Sequence, residues 1–514
     1  MNGAEALVRT LHAGGVDVCF ANPGTSEMQF VDALDRTRLM RCVLGLFEGV
    51  VTGAADGYGR MTGKPAVSLL HLGAGLSNAS ANLHNAKRAR TPMLNLVGEH
   101  ASWHIRHDPP LASDIAGLAA PVSDVVMTST SVEALAAEGA QALAEACSWP
   151  GRIATLIAPG DHGWDEGGKI ADPIAPRGPA HVAEAALADA AQALDGTAPT
   201  LILIGGHALT SPRSRAAAQA IAAKTGARVM CPTSFRRIDR GGGTAGIDRL
   251  PYVVDLALEA LAPFERAILI EAVEPPAFFG YPGKPSLFLP EGCQVTRLAD
   301  FGEDGPGALL ALADRIGADL SENFETPARP ERPQPGTLTP ETLAAAIGAT
   351  AQEGAIYVDE SITQGRGIYP ALAGAPAHSW LPITGGAIGI GPPMAVGAAI
   401  ACPERPVIGL QADGSAMYTI QALWTAAREQ TNVTYVILAN RSYEILKHEL
   451  ARTGANPGPS ALALVDLDRP VLDFCQIARG MGVEATATDC PAELAKLLDW
   501  APTQPGPYLI ECRL

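Results

Sequence analysis

Pro406-Val407-Ile408-Gly409-Leu410-Gln411-Ala412-Asp413-Gly414-Ser415 opens a stretch, running on to Leu446, that decides how the whole chain is read. Val407–Gln411 is a short run of the kind buried on both faces of a parallel sheet. A helix is expected over Thr419–Glu429, and a second buried strand, Val433–Leu438, ends in Ala439-Asn440. Strand, helix and strand in that order make a βαβ unit. Asp413 and Asn440 then fall at the carboxyl ends of two parallel strands, the edge of an open α/β sheet where ligands bind. Asp413 offers a carboxylate, Asn440 an amide oxygen, and the turn after it free carbonyls. Hard oxygens on a tight turn suit Mg²⁺, which shares its shell with ligand phosphates. Gly414 lets the backbone approach a phosphate, and the N–H groups after it face the same space. Taken singly, an Asp and an Asn at strand ends are ordinary turn residues.

Outward from there the same alternation recurs. Strands are expected at Val16–Phe20, Arg41–Leu46, Ala66–Leu70, Met93–Val97 and Ile153–Ile157, with helices such as Gly3–Ala13 and Gly49–Arg60 between them. Further strands fall at Thr200–Ile204, Arg228–Cys231 and Ala267–Glu271, then at Ile356–Val358 and Tyr508–Glu511. Strands alternating with helices imply βαβ units, hence an α/β fold with mainly parallel sheets flanked by helices. Proline-rich stretches around Ile170–Pro179 and Glu325–Pro340 read as linkers. They divide the 514 residues into expected domains at 1–170, 180–325 and 338–514, each of ordinary size.

Lys plus Arg is 37 against 54 for Asp plus Glu, a formal charge of −17 that repels phosphate backbones and argues against nucleic-acid binding. Nine scattered cysteines with no C-x-x-C pair give neither a disulfide framework nor a zinc site. The first residues carry no basic or apolar leader, and no apolar run reaches the roughly 18 residues of a membrane span. A soluble cytoplasmic protein without membrane contact is expected.

Asp413-Gly414 with Asn440 27 residues after the Asp resembles the Mg²⁺–diphosphate motif of thiamine diphosphate enzymes. The family usually reads Gly-Asp-Gly and Asn-Asn; Ala412 and Ala439 stand at the first position of each. The resemblance implies Mg²⁺ held by Asp413, Asn440 and the backbone carbonyl of Ser442, with Gly414, Ser415 and Tyr443 around the diphosphate. Gly45-Leu46-Phe47-Glu48 and Gly53-Ala54-Ala55-Asp56-Gly57-Tyr58-Gly59-Arg60 are similar to the pyrimidine-domain signature of the same family. There Glu48 would share a proton with N1′ of the aminopyrimidine. Thr384-Gly385-Gly386-Ala387-Ile388-Gly389-Ile390-Gly391 resembles the glycine-rich segment beneath the bent cofactor, with Gly386 supplying a carbonyl and Ile388 the apolar support.

Asn22-Pro23-Gly24-Thr25, Leu70-His71 and Asn440-Arg441-Ser442-Tyr443 resemble benzoylformate decarboxylase, which implies Thr25 and His71 facing the substrate. That enzyme's second histidine has no match here; Phe278 and Phe279 stand in its region. His107 matches a histidine that lines the site in pyruvate decarboxylases, and a zinc site on His100, His104 and His107 is not expected. The implied activity is decarboxylation or carboligation of a small 2-oxo acid through a thiazolium enamine, on a homodimer or homotetramer whose sites are shared between chains. Acetolactate synthase proper is one alternative reading, and a catalytically silent subunit that kept the fold is another. Some relatives hold FAD in the middle domain, but Ile204-Gly205-Gly206-His207 lacks the G-x-G-x-x-G pattern, so FAD finds no support there.

Overall fold

The computed structural model of the protein describes residues 1–320 and 324–514. It contains three sheets built mainly from parallel strands and flanked by helices, the class expected. The first has six strands, in spatial order Arg41–Leu44, Val18–Asn22, Val67–Leu70, Met93–Glu99, Ile153–Pro159 and Val125–Thr128. The second has five parallel strands: Asp248–Arg249, Arg228–Cys231, Thr200–Ile204, Arg266–Ile270 and Gln294–Ala299. Taken in chain order these stand as 3-2-1-4-5, the doubly wound arrangement whose switch point lies between Thr200–Ile204 and Arg266–Ile270.

The third sheet runs Glu484–Thr488, Tyr508–Arg513, Val433–Ala439, Val407–Ala412, Ile356–Glu360 and His378–Pro382, all parallel. Its seventh strand, Ile238–Arg240, is antiparallel to His378–Pro382 and comes from the middle stretch of the chain. The central strands are those that read as continuous apolar runs; all five residues of Thr200–Ile204 are buried. The expected helix over Thr419–Glu429 forms only from Ala422. Instead the backbone turns helical directly off the strand at Asp413–Ala416, where Asp413 can accept from the N–H of Gly414.

Two helices join the first and third sheets, Glu48–Thr62 and Gly391–Ala401. A side chain at Gly57 would collide with the backbone of Met394, and one at Gly397 with that of Ala54. Gly57 and Ala54 of the Gly53–Arg60 motif therefore serve backbone-to-backbone packing of this pair. Beside them a buried ion pair, Asp56–Arg60, sends Nη1 of Arg60 to the carbonyl of Pro382 and Nη2 to the hydroxyl of Thr384, at 2.7 and 3.0 Å. Among the described residues no helix is long and apolar enough to cross a membrane.

Candidate active site

The strands Val407–Ala412 and Val433–Ala439 lie side by side, with Ala412 paired to Leu438, so Asp413 and Asn440 emerge at one sheet edge. Asp413 is buried; Oδ1 accepts from the N–H of Gly414 at 2.8 Å and Oδ2 from that of Arg441 at 2.6 Å. The second bond ties the two turns together. Burial pushes the Asp413 carboxyl above its ordinary range, opposed by those N–H groups. Asn440 Oδ1 accepts from the N–H of Ser442 at 3.2 Å, across a left-handed Arg441 (φ 57°). The carbonyl of Ser442 accepts no hydrogen bond among the described residues. The Tyr443 ring lies against Gly414, where a Cβ would overlap it, and Ser415 is buried behind.

The glycine-rich segment is held from two sides. From its own sheet, the buried Glu360 accepts from the N–H groups of Gly389 and Gly391 and from the Gln411 amide, at 2.6, 2.7 and 2.7 Å. From the first sheet comes the helix Leu72–Arg88. Its Asn85 accepts from the N–H of Gly385 and donates to the carbonyl of Ala387, at 3.0 and 2.7 Å, so one amide grips both neighbours of Gly386. His84 meets the Gly385 carbonyl at 3.1 Å. Gly386 itself is exposed, at φ 75°, and its carbonyl accepts no hydrogen bond among the described residues. Ile388 is half-buried. The ring of Phe278 reaches Gly386, with Phe279 edge-on to it at 5.0 Å between centroids. Sequence position alone had linked Phe278 to the pocket; the contact with Gly386 is what the structure adds.

Beside the first sheet, Glu48 is buried as the first residue of its helix. Its Oε2 accepts from Asn78 at 2.9 Å, while Oε1 faces Gly75 without a hydrogen bond among the described residues. His71 precedes helix Leu72–Arg88 at a junction where Leu72 adopts φ 52°. Its Nδ1 lies 2.8 Å from Oε2 of Glu27, a fully buried carboxylate that also accepts from the Gly24 N–H at 2.8 Å. Oε1 of Glu27 has no partner among the described residues, and burial pushes its carboxyl up against the pull of Gly24 and His71. A carboxylate on Nδ1 fixes the proton there and leaves Nε2 as the free nitrogen. Thr25 is exposed two residues before Glu27. His107 is exposed on a 3₁₀ turn, its ring 5.9 Å from that of His104, and makes no hydrogen bond to His71 or Glu48 among the described residues.

Residues 1–118 match the N-terminal TPP binding domain of thiamine pyrophosphate enzymes, and residues 369–512 match the C-terminal one. The chain belongs to the thiamine pyrophosphate enzymes. It is 48% identical to the Mycobacterium tuberculosis protein named "Putative acetolactate synthase large subunit IlvX", over 99% of this chain and 98% of that one. It is 30% identical to a benzoylformate decarboxylase of Pseudomonas aeruginosa, with the same coverage. Among solved structures, the thiamine diphosphate-dependent 4-hydroxybenzoylformate decarboxylase of Rhodococcus jostii RHA1 superposes with a TM-score of 0.83 at 26% identity, covering 100% of this chain and 99% of that one. The protein is a thiamine diphosphate-dependent enzyme of the acetolactate synthase and benzoylformate decarboxylase branch.

The residues present fit the family's cofactor. The Asp413 carboxylate, the Asn440 amide oxygen and the unengaged Ser442 carbonyl form an all-oxygen set that suits Mg²⁺ rather than zinc. The unengaged Gly386 carbonyl and Glu48 Oε1 are acceptors suited to an aminopyrimidine. Sequence reading missed Glu27, Glu360 and the polar face Asn78, Asn82 and Asn85. The asparagines carried a signal, since offsets of four and three place them on one helix face. The two glutamates carried none.

Proposed function

We propose that the protein uses thiamine diphosphate and Mg²⁺ to break the C1–C2 bond of a small 2-oxo acid, releasing CO₂. The remaining fragment either takes a proton and leaves as an aldehyde or joins a second carbonyl compound as a 2-hydroxy ketone. Bound cofactor supplies the nucleophilic carbon and the electron sink. The chain's residues do the rest: Asp413, Asn440 and the Ser442 carbonyl hold the metal, Glu48 holds a proton at N1′, and the Gly386 carbonyl receives the 4′-amino group. Ile388 would supply apolar support to the bound cofactor. Nε2 of His71 moves the substrate proton, oriented by Glu27, and the Thr25 hydroxyl binds the substrate carboxylate.

The observation that carries this reading is the Glu27–His71 pair. A buried carboxylate with one oxygen unpaired is costly, and what it does at this site is fix a partly exposed imidazole. Within one chain Glu48 makes no hydrogen bond to Asp413, Asn440 or their turns among the described residues. The family resemblance supports a site shared between two copies, with the metal turn of one completing the site at Glu48 of the other, in a homodimer or homotetramer. Phe278 over Gly386 narrows the pocket and favours a small aliphatic substrate over benzoylformate. The test is kcat/KM for pyruvate and benzoylformate with cofactor and Mg²⁺, products resolved by mass. Pyruvate is expected to be faster and to give 2-hydroxy ketone or acetolactate-type product besides acetaldehyde. Rapid conversion of benzoylformate to benzaldehyde alone would remove the pocket argument, and absence of CO₂ from every 2-oxo acid would favour a silent subunit.

A further inference from the structure

The middle sheet has a crevice at its switch point, between the carboxyl ends of Thr200–Ile204 and Arg266–Ile270. In doubly wound sheets that crevice takes nucleotide phosphates, on glycine turns and helix N-termini. Three glycines line it here. Gly205 and Gly206 follow the first strand, Gly206 at φ 46°, and Gly305 opens the eleven-residue helix Gly305–Arg315. What they approach is Glu271, the residue leaving the second strand. A Cβ on Gly206 or Gly305 would collide with the Glu271 side chain, and one on Gly205 with its carbonyl.

Glu271 is 1% exposed and itself stands at φ 46°, a left-handed conformation strained for any residue with a Cβ. Oε2 accepts from the Ala208 N–H at 2.9 Å, and Oε1 has no hydrogen-bond partner among the described residues. Burial raises the carboxyl to about 7 despite the nearby N–H groups of Ala208, His207 and Gly305. His207, on the same turn, is stacked on Trp149 at 3.9 Å between centroids, and its Nε2 lies 2.8 Å from the Pro150 carbonyl.

We infer that the Glu271 carboxyl group stands where a nucleotide phosphate would bind, so that this sheet takes neither FAD nor an adenine nucleotide. The glycine cradle is built for a phosphate-sized anion and is already filled by the chain.

The holoenzyme is dialysed against FAD and, separately, ADP. No saturable binding is expected up to about 1 mM; stoichiometric uptake of either would overturn the inference. In a second arm Glu271→Gly suits the backbone and empties the cradle. Inorganic phosphate, compared with chloride at equal ionic strength, is expected to raise the Tm of the variant by a few degrees and to leave the wild type unmoved. A folded variant that responds to phosphate no more than the wild type would show that Glu271 is not what fills the site. Should Glu271→Gly not fold, Glu271→Asn, short, neutral and tolerant of the left-handed region, takes its place in the same comparison. Both arms read binding and not turnover, so they stand apart from the 2-oxo acid reading.

Discussion

At the carboxyl edge of the C-terminal sheet Glu360 has both oxygens engaged, one by the Gly389 N–H and the other by the Gly391 N–H and the Gln411 amide. At the same edge of the middle sheet Glu271 accepts from Ala208, and its other oxygen has no hydrogen-bond partner among the described residues. Burial pushes both carboxyls up to about 7. Glu360 lies behind a glycine turn and shapes it, leaving Gly386 exposed on the outside. Glu271 enters its glycine turn and fills it. A glycine-lined strand edge is therefore a ligand site only if the chain itself leaves the space empty.

The widest gap between the two edges should appear on removing a carboxylate from each. Asp413→Ala takes away the one anionic metal ligand proposed at the C-terminal edge and is expected to lower kcat/KM at least about a thousandfold. Excess Mg²⁺ and cofactor should recover part of it by mass action. Glu271→Gln should leave kcat/KM within about a factor of two, because its edge lies outside the proposed chemistry. Equal losses in the two variants would erase the distinction.

Glu48→Gln keeps size but cannot share a proton, so hydrogen exchange at cofactor C2, followed by NMR, should slow about a hundredfold while cofactor still binds. Mixing this variant with Asp413→Ala under subunit exchange should restore about a quarter of wild-type turnover if each site draws on two chains. No recovery after proven exchange would place the whole site in one chain.

Glu27→Gln should cost about tenfold to a hundredfold in kcat yet leave Tm at pH 8 unchanged or higher. Its ionised form is the one that burial penalises. A fall in Tm matching the fall in kcat would make Glu27 a structural residue instead.

The smallest effect concerns Glu360. Its folded carboxyl sits near 7 against an ordinary 4.5, so the folded state holds its proton more tightly than the unfolded chain does. The associated stability is full below about 4.5 and is lost as pH rises through 7, a change of roughly 3 kcal/mol. Glu360→Gln should flatten that part of the unfolding profile measured by denaturant titration, and weaken cofactor binding a few-fold by loosening the Gly389–Gly391 turn. An unaltered profile would show that Glu360 carries no such shift.

Much of this was legible because the informative contacts are local. Val407–Ala412 and Val433–Ala439 announced themselves as apolar runs, and their turns placed Asp413 and Asn440 at one edge. Strands such as Gln294–Ala299 and Glu484–Thr488 did not, because they lie at sheet edges with polar, partly exposed residues. Glu27 and Glu360 look like ordinary turn and strand-end acids in the sequence. Their meaning depends on partners 44 and 29 positions away, His71 and Gly389. Glu271 was read as the end of a strand, and nothing local signalled that its backbone turns left-handed there.

Ile238–Arg240 gives the chain a property that no active-site residue controls. Because this short strand leaves the middle stretch to cap His378–Pro382, the C-terminal sheet has a free edge whenever residues 338–514 are made alone. An uncapped parallel strand invites pairing with a neighbour. Fragments cut at the proline-rich linkers should therefore aggregate unless the Arg237–Arg240 stretch is supplied as well. Exchange of middle units between relatives must carry that stretch with its matching sheet, which makes the linkers poor seams for building chimaeras.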